Sequence, residues 1–418
     1  MIVSTYKRFI RKSSDKFSHN SKWLSMAEML NRVIRGGLSQ LVLTRVFSTN
    51  DWAILAKVIP LMELLSVFQG RAGFNSKLIN CSAKEFKSLS ITTYYLSWII
   101  AILLFSIQLA IGSTIHLLSI DNQNLGDAIA LTSFCYLLFP VFSINIALLY
   151  KTNNLVPLAK LNIIVGLGGG VITIVMALLG YGFWSILIPL ILNNVLTAIA
   201  IPYISPWHIN RFSLKGIKNI FNYASGLMLA EGLDKLRSNI DYWIIGIFLG
   251  DKEMGIYYFG FTSGINFCLG IINSYYQSFY PNLNQYKGDE DSLKDIYYRD
   301  TKRMIRHISK FSIAIAILMP LVIEKISGDK WIEAMPVISI VSISAIPRVL
   351  KVSTGALLQL RNKPYVILGW DIGLTLFLVA GVLVAVNKGI VAVSLAVLIV
   401  HWVYLPIYFW FVSKRYLR

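Results

Sequence analysis

Runs of about twenty apolar residues recur along nearly the whole 418-residue chain, and each is long enough to cross ~30 Å of hydrocarbon. Such a chain must satisfy its backbone inside each segment, so the runs predict helices. The expected spans are 23–44, 52–70, 91–118, 127–149, 160–180, 183–204, 222–249, 254–280, 304–323, 332–360, 364–386 and 390–412. The fold class is therefore all-α: a polytopic membrane protein of about twelve helices. Only 14% of residues are charged, against about 25% in soluble domains. Very short connectors, Gly180-Tyr181-Gly182 and Gly250-Asp251-Lys252-Glu253, make the helices they join antiparallel neighbours.

The net charge of +18 would suggest nucleic acid in a soluble protein. Here it follows the loops instead, and nucleic acid is not an expected partner. With the N-terminus inside, alternate connections collect the cations: the tail from Lys7 to Lys22, then Arg71, Lys77, Lys84 and Lys87, then Lys151 and Lys160, then Arg211, Lys215 and Lys218. The series continues with the 281–303 loop, with Arg361 and Lys363, and with Lys414, Arg415 and Arg418. The other connections hold only Arg45, Lys252, Lys325, Lys330 and Lys388. Positive charge favours the cytoplasmic side, so both termini are expected there, with a multi-pass chain in the membrane.

The expected organisation is a basic cytoplasmic tail over 1–22, a six-helix lobe over 23–210, a second over 211–413, and a short tail over 414–418. A faint repeat supports two halves: Arg45-Val-Phe-Ser-Thr-Asn-Asp-Trp aligns with Ile247-Phe-Leu-Gly-Asp-Lys-Glu-Met, and the same offset sets Arg35 on Arg237. The N-terminus shows no signal-peptide pattern. Cys81, Cys135 and Cys268 are widely separated, without metal-ligand or disulfide spacing, and no cofactor or metal is expected. No connection outside is long, and no catalytic constellation is evident, so the chain is not read as an enzyme.

Ionisable residues at bilayer depth cost about 2.5–3.5 kcal/mol or more each, so their positions are informative. The first span carries Glu28, Arg32 and Arg35 on one stripe. The second carries Lys57 and Glu63. The seventh carries Asp234, Arg237 and Asp241 on one stripe, with Glu231 and Lys235 beside it. Lys310 lies in the ninth span, Arg348 and Lys351 follow Pro347 in the tenth, and Asp371 lies in the eleventh. One account is that these charges pair with one another inside a bundle. The other is a shared hydrated cavity with a slight excess of positive charge, suited to an anionic ligand, because arginine binds phosphate oxygens bidentately. On that account Arg32, Arg35, Lys57, Arg237, Arg348 and Lys351 bind substrate. Glu28, Glu63, Asp234, Asp241 and Asp371 are the ion-coupling candidates. Tyr258 and Phe261, a turn inside the aromatic-rich eighth span, are the ring-stacking candidates; aromatic residues nearer its ends read as an interfacial belt. Pro60, Pro140, Pro189, Pro320, Pro336, Pro347 and Pro406 interrupt spans, either as hinges or as static kinks. Glycines 166 and 168–170 read as close-packing positions.

Several blocks, in order along the chain, resemble a known family. They are Thr44-Arg-Val-Phe-Ser-Thr-Asn-Asp, Leu179-Gly-Tyr-Gly-Phe-Trp-Ser, Leu233-Asp-Lys-Leu-Arg-Ser-Asn-Ile-Asp-Tyr-Trp through Gly255-Ile-Tyr-Tyr, Phe279-Tyr-Pro-Asn-Leu, and Met319-Pro-Leu through Gly328-Asp-Lys-Trp. Together they resemble the oligosaccharide flippases (Wzx type) of the multidrug/oligosaccharidyl-lipid/polysaccharide exporter superfamily. Arg71 departs from that pattern, standing where relatives often have a small or apolar residue. The resemblance implies two pseudo-symmetric six-helix lobes in the bacterial inner membrane. It implies ion-coupled alternating access, in which undecaprenyl-pyrophosphate-linked oligosaccharide for O-antigen, capsule or similar polysaccharide crosses between leaflets. The implied partners are that lipid-linked oligosaccharide and the phospholipid bilayer, together with a polysaccharide polymerase and a chain-length regulator. A cation-coupled multidrug exporter of the same superfamily is the alternative, followed by a membrane-embedded polymerase or glycosyltransferase.

Overall fold

The computed structural model describes residues 38–118, 123–152, 154–208, 212–213, 216–286 and 288–417. Among these residues every regular element is helical. The helices are α1 (Ser39–Val46), α2 (Thr49–Ser66), α3 (Arg71–Asn80), α4 (Ala83–Leu118), α5 (Gln123–Thr132), α6 (Phe134–Lys151) and α7 (Val156–Leu178). They continue with α8 (Trp184–Ile204), α9 (Ile217–Phe248), α10 (Asp251–Gln285), α11 (Glu290–Ser327), α12 (Met335–Leu360), α13 (Pro364–Val386) and α14 (Ile390–Tyr416).

Nine helical stretches among the described residues are long and apolar enough to cross a membrane, and α10, bent by 41° near residue 267, is a tenth. The protein is a multi-pass membrane protein. These ten match ten of the twelve expected spans. The seventh expected span is α9, a continuous 32-residue helix whose ionisable residues keep it below the apolar threshold. Most of the first, residues 23–37, lies outside the described residues.

Two expectations are corrected. The 281–303 stretch is not a loop: α10 runs to Gln285 and α11 begins at Glu290. The Lys- and Arg-rich start of α11 is amphipathic and buries Leu293, Ile296, Tyr297 and Met304. Hydropathy registers only the part of a helix that meets lipid, so it missed this extension. Likewise Pro336 opens α12 instead of interrupting it, while Pro60, Pro140, Pro189, Pro320, Pro347 and Pro406 do lie inside helices. The connector before α8 turns on Gly180 and Gly182, with φ of 85° and 52°, a region open mainly to glycine.

The chain divides into two compact units. One takes in the described residues up to Val42 together with Val58–Gly232; the other takes in Leu43–Lys57 and Leu233–Arg418. The lobe boundary expected near residue 210 falls among 209–211, outside the described residues.

In the first unit, α6, α7 and α8 meet over Phe139, Phe142, Leu149, Leu158 and Ile201. α4 and α5 cross at glycine: a Cβ on Gly112 would lie 2.6 Å from the Ala130 nitrogen. One buried network there is neutral. The Gln108 amide donates to the Ile129 carbonyl and to Thr132 Oγ1, both at 2.9 Å, and accepts from the Tyr136 hydroxyl at 2.5 Å. Gln69 donates in turn to the Tyr136 carbonyl at 3.0 Å.

In the second unit α12 packs against α10, α11 and α14, and Val337, Ile338, Val341, Ala345, Val349 and Leu357 are fully buried along it. The 43–57 segment is built into this unit. Trp331 Nε1 donates to the Thr44 carbonyl at 2.7 Å, and Trp52 packs on Phe259 with centroids 5.2 Å apart. α10 approaches so closely that a Cβ on Gly255 would lie 2.2 Å from the Thr49 carbonyl oxygen.

Candidate functional site

The charged stripe of α9 carries a buried ionic cluster in the second unit. Residues 234, 237 and 241 follow spacings of three and four, so one face of α9 presents all three. Arg237, only 8% exposed, donates through Nη1 to Asp371 Oδ1 on α13 at 3.1 Å and pairs through Nη2 with Asp234. Lys351 on α12 lies 3.4 Å from Asp234 Oδ1 and 3.2 Å from Asp371 Oδ1. Two cations and two carboxylates thus alternate across three helices. Asp234 is the exposed member, at 54%, so the cluster has one wet edge.

Two turns along α9, Asp241 is 3% exposed. It accepts a 2.8 Å hydrogen bond from the Tyr257 hydroxyl of α10 and one of 3.1 Å from the Tyr242 amide. Arg348, one turn before Lys351 on α12, is within electrostatic reach of Asp241, Arg237 and Tyr257. Its Nε is buried and has no hydrogen-bond partner among the described residues. His401 on α14 closes the group: its Nδ1 donates to the Val397 carbonyl at 2.7 Å, which leaves Nε2 an acceptor in the neutral ring. His401 also lies within reach of the charges of Arg348, Arg237 and Lys351.

The cluster holds three cations (Arg237, Arg348, Lys351) and three carboxylates (Asp234, Asp241, Asp371), so it is balanced when all are ionised. That differs from the slight positive excess expected of the whole set. The difference arises because the surplus cation belongs to the rest of that set, Arg32, Arg35 and Lys57 against Glu28 and Glu63; within the cluster Arg237 and Lys351 are engaged by carboxylates, as the pairing account anticipates. Arg348 is the cation with donor capacity left over.

The remaining predicted residues lie elsewhere or are unseen. Lys57 is in the second unit, but it pairs with Asp251 at 2.7 Å, at the start of α10. Glu63 is on the portion of α2 that belongs to the first unit. Tyr258 and Phe261 are each 8% exposed and set their edges against Tyr242, with centroids 4.9 and 5.4 Å apart. They build the aromatic core beside Asp241. Glu28, Arg32 and Arg35 lie outside the described residues.

Sequence reasoning passed over two members. Tyr257 stood in the aromatic run without a role, and only its pairing with Asp241 distinguishes it. His401 carried a readable signal: it is an imidazole in the middle of an otherwise apolar span.

Comparison with known proteins decides the family. The model for polysaccharide biosynthesis proteins matches residues 42–336. The chain belongs to this family. It is 24% identical over 338 residues to the teichuronic acid biosynthesis protein TuaB of Bacillus subtilis, covering 79% of this chain and 68% of that one. It is 20% identical over 358 residues to a membrane protein in the cps region of Klebsiella pneumoniae, covering 82% and 71%. Solved structures of the MOP superfamily share the fold. A MATE-family multidrug resistance transporter in its inward-facing conformation matches with a TM-score of 0.72 at 12% identity, over 94% of this chain and 98% of that one. The lipid II flippase MurJ matches at 0.70 and 14% identity, over 94% and 87%.

Proposed function

We propose that this polysaccharide biosynthesis protein is a flippase. In this reading it carries undecaprenyl-pyrophosphate-linked oligosaccharide from the cytoplasmic to the periplasmic leaflet of the bacterial inner membrane. It would supply repeat units for O-antigen, capsule or a similar polysaccharide, and it is a transporter without a catalytic step. Both termini are placed in the cytoplasm, following the basic connections. The family membership supports the class of pathway, and the MurJ-like fold suits a lipid-linked cargo.

The observation that carries the reading is the ionic cluster at Arg348. The Arg348 Nε is buried without a hydrogen-bond partner among the described residues, and an unmet buried donor costs about 1–3 kcal/mol. A diphosphate would supply the missing acceptor. As it arrives, its charge competes with Asp234 and Asp371 for Arg237 and Lys351, so binding and rearrangement of the pairs are one event. Arg32 and Arg35 are proposed as further cations along the path. Asp241 is proposed to carry the coupling proton, with Tyr257 and Tyr242 holding its charged form and proton uptake releasing Arg348 for the anion.

The test is complementation of a flippase-null strain. Arg348→Ala and Arg237→Ala should each abolish surface polysaccharide while the protein still reaches the membrane. Arg348→Lys should restore part of it. Full polysaccharide in both alanine variants would remove the cluster from the transport path. A multidrug exporter of the same superfamily would instead protect cells from cationic drugs, and its loss would leave polysaccharide unchanged.

A further inference from the structure

Several basic side chains in the second unit have acidic partners: Lys57 has Asp251, Arg237 and Lys351 share Asp234 and Asp371, Lys252 has Glu333, and Arg361 holds Glu290. α11 concentrates exposed cations that have none among the described residues. Arg299, Lys302, Arg303, Arg306 and Lys310 follow spacings of three, one, three and four, which places them on one stripe about 100° wide. All five are exposed. Arg299 bonds Asp300 at 3.1 Å, and Asp295 stands one turn before it on the same stripe. Among the described residues, Lys302, Arg303, Arg306 and Lys310 have no acidic partner, which leaves four uncompensated cations. The opposite face of the same turns is packed by Tyr297, Thr301, Met304, Ile308 and Ser312.

The stripe changes character without changing direction. Continuing it brings Ile313, Ile317 and Leu321, which are 48%, 58% and 51% exposed. α11 belongs to a membrane-crossing segment, so this apolar continuation meets acyl chains. One exposed face therefore offers four cations where a helix enters the membrane, followed in line by a greasy track of about two turns. That order, charge then hydrocarbon, is the order of an anionic phospholipid.

We propose that this face of α11 is a binding site for an anionic phospholipid, its phosphate held by Lys302, Arg303, Arg306 and Lys310 and its chains lying along Ile313, Ile317 and Leu321. The two parts read different portions of one molecule. The cations select the headgroup by charge, each contributing about fivefold at a membrane surface, and the apolar track holds any acyl chain. A zwitterionic lipid would use the track alone. The site is independent of the cargo, so it stands whichever glycan the protein moves.

The test titrates the delipidated full-length protein with phosphatidylglycerol and with phosphatidylcholine of identical chains, and reads bound lipid by native mass spectrometry. The wild type should bind phosphatidylglycerol about tenfold or more tightly than phosphatidylcholine, and the preference should collapse in about 0.5 M salt. A variant with all four cations changed to Gln should lose the preference. Lys302→Arg with Lys310→Arg should keep it. A control with equal charge removed from exposed Lys84, Lys87, Lys363 and Lys388 should also keep it. Equal binding of the two lipids by the wild type would overturn the proposal, as would an unchanged preference in the four-Gln variant or an equal loss in the control. Full displacement of phosphatidylglycerol by inorganic phosphate would show a free-anion site and likewise overturn it.

Discussion

The two units bury polar groups in opposite ways. The first unit holds a buried network of neutral partners: Gln69, Gln108, Thr132 and Tyr136 exchange amide and hydroxyl bonds between α4, α5, α6 and the turn before α3. The second unit gathers six charged side chains, all but Asp234 largely buried, and a histidine on α9, α12, α13 and α14. A neutral network fixes helix register at little desolvation cost and has one protonation state. An ionic cluster is expensive to bury, yet it can exchange partners and take up protons or anions. The lesson is that the first unit's polar interior suits a scaffold and the second's suits a moving part.

The largest expected effect is Arg237→Ala. It leaves Asp371 and Asp234 short of a counter-charge, and breaking such a buried pair costs about 3–5 kcal/mol. Thermal unfolding in detergent measures this. The double variant Arg237→Met, Asp371→Leu removes both charges and should recover most of that loss. If the single variant is as stable as the wild type, the cluster is not buried in the sense argued here.

Gly255→Ala drives a methyl toward the Thr49 carbonyl and should cost about 1–3 kcal/mol by overpacking. Indifference there would mean that the 43–57 segment is not fastened to the second unit. Gln108→Leu tests the other side of the comparison. It removes the nearer acceptor of the Tyr136 hydroxyl, leaving the 3.3 Å bond to the Met62 carbonyl, and should cost about 0.5–1.5 kcal/mol. Surface polysaccharide per folded protein should stay unchanged, and a selective loss of export would move function into the first unit. The smallest effect belongs to Lys57→Gln. Its pair with Asp251 is half-exposed and should contribute at most about 1 kcal/mol.

Much of this was legible in the sequence, for physical reasons that differ by feature. Helices that meet lipid announce themselves, because nothing but apolar length fits hydrocarbon, and ten expected spans reappear. The charged stripe of α9 was visible for the same reason, since Asp234, Arg237 and Asp241 are costly exceptions. Partners were not visible. Asp371 lies 134 residues from Arg237, and helix periodicity says nothing about which distant helix closes on a stripe. The assignment of 43–57 to the second unit rests on Trp331 reaching Thr44 across 287 residues, beyond any local signal. The amphipathic start of α11 was missed because its basic face hid its packed one.

The most direct measurement is translocation of a lipid-linked oligosaccharide in proteoliposomes by the double variant Arg237→Met, Asp371→Leu, normalised to folded protein. The account predicts a transporter that unfolds near the wild-type temperature and moves no cargo, because the charges serve transport and not architecture. Wild-type translocation by that variant would contradict it.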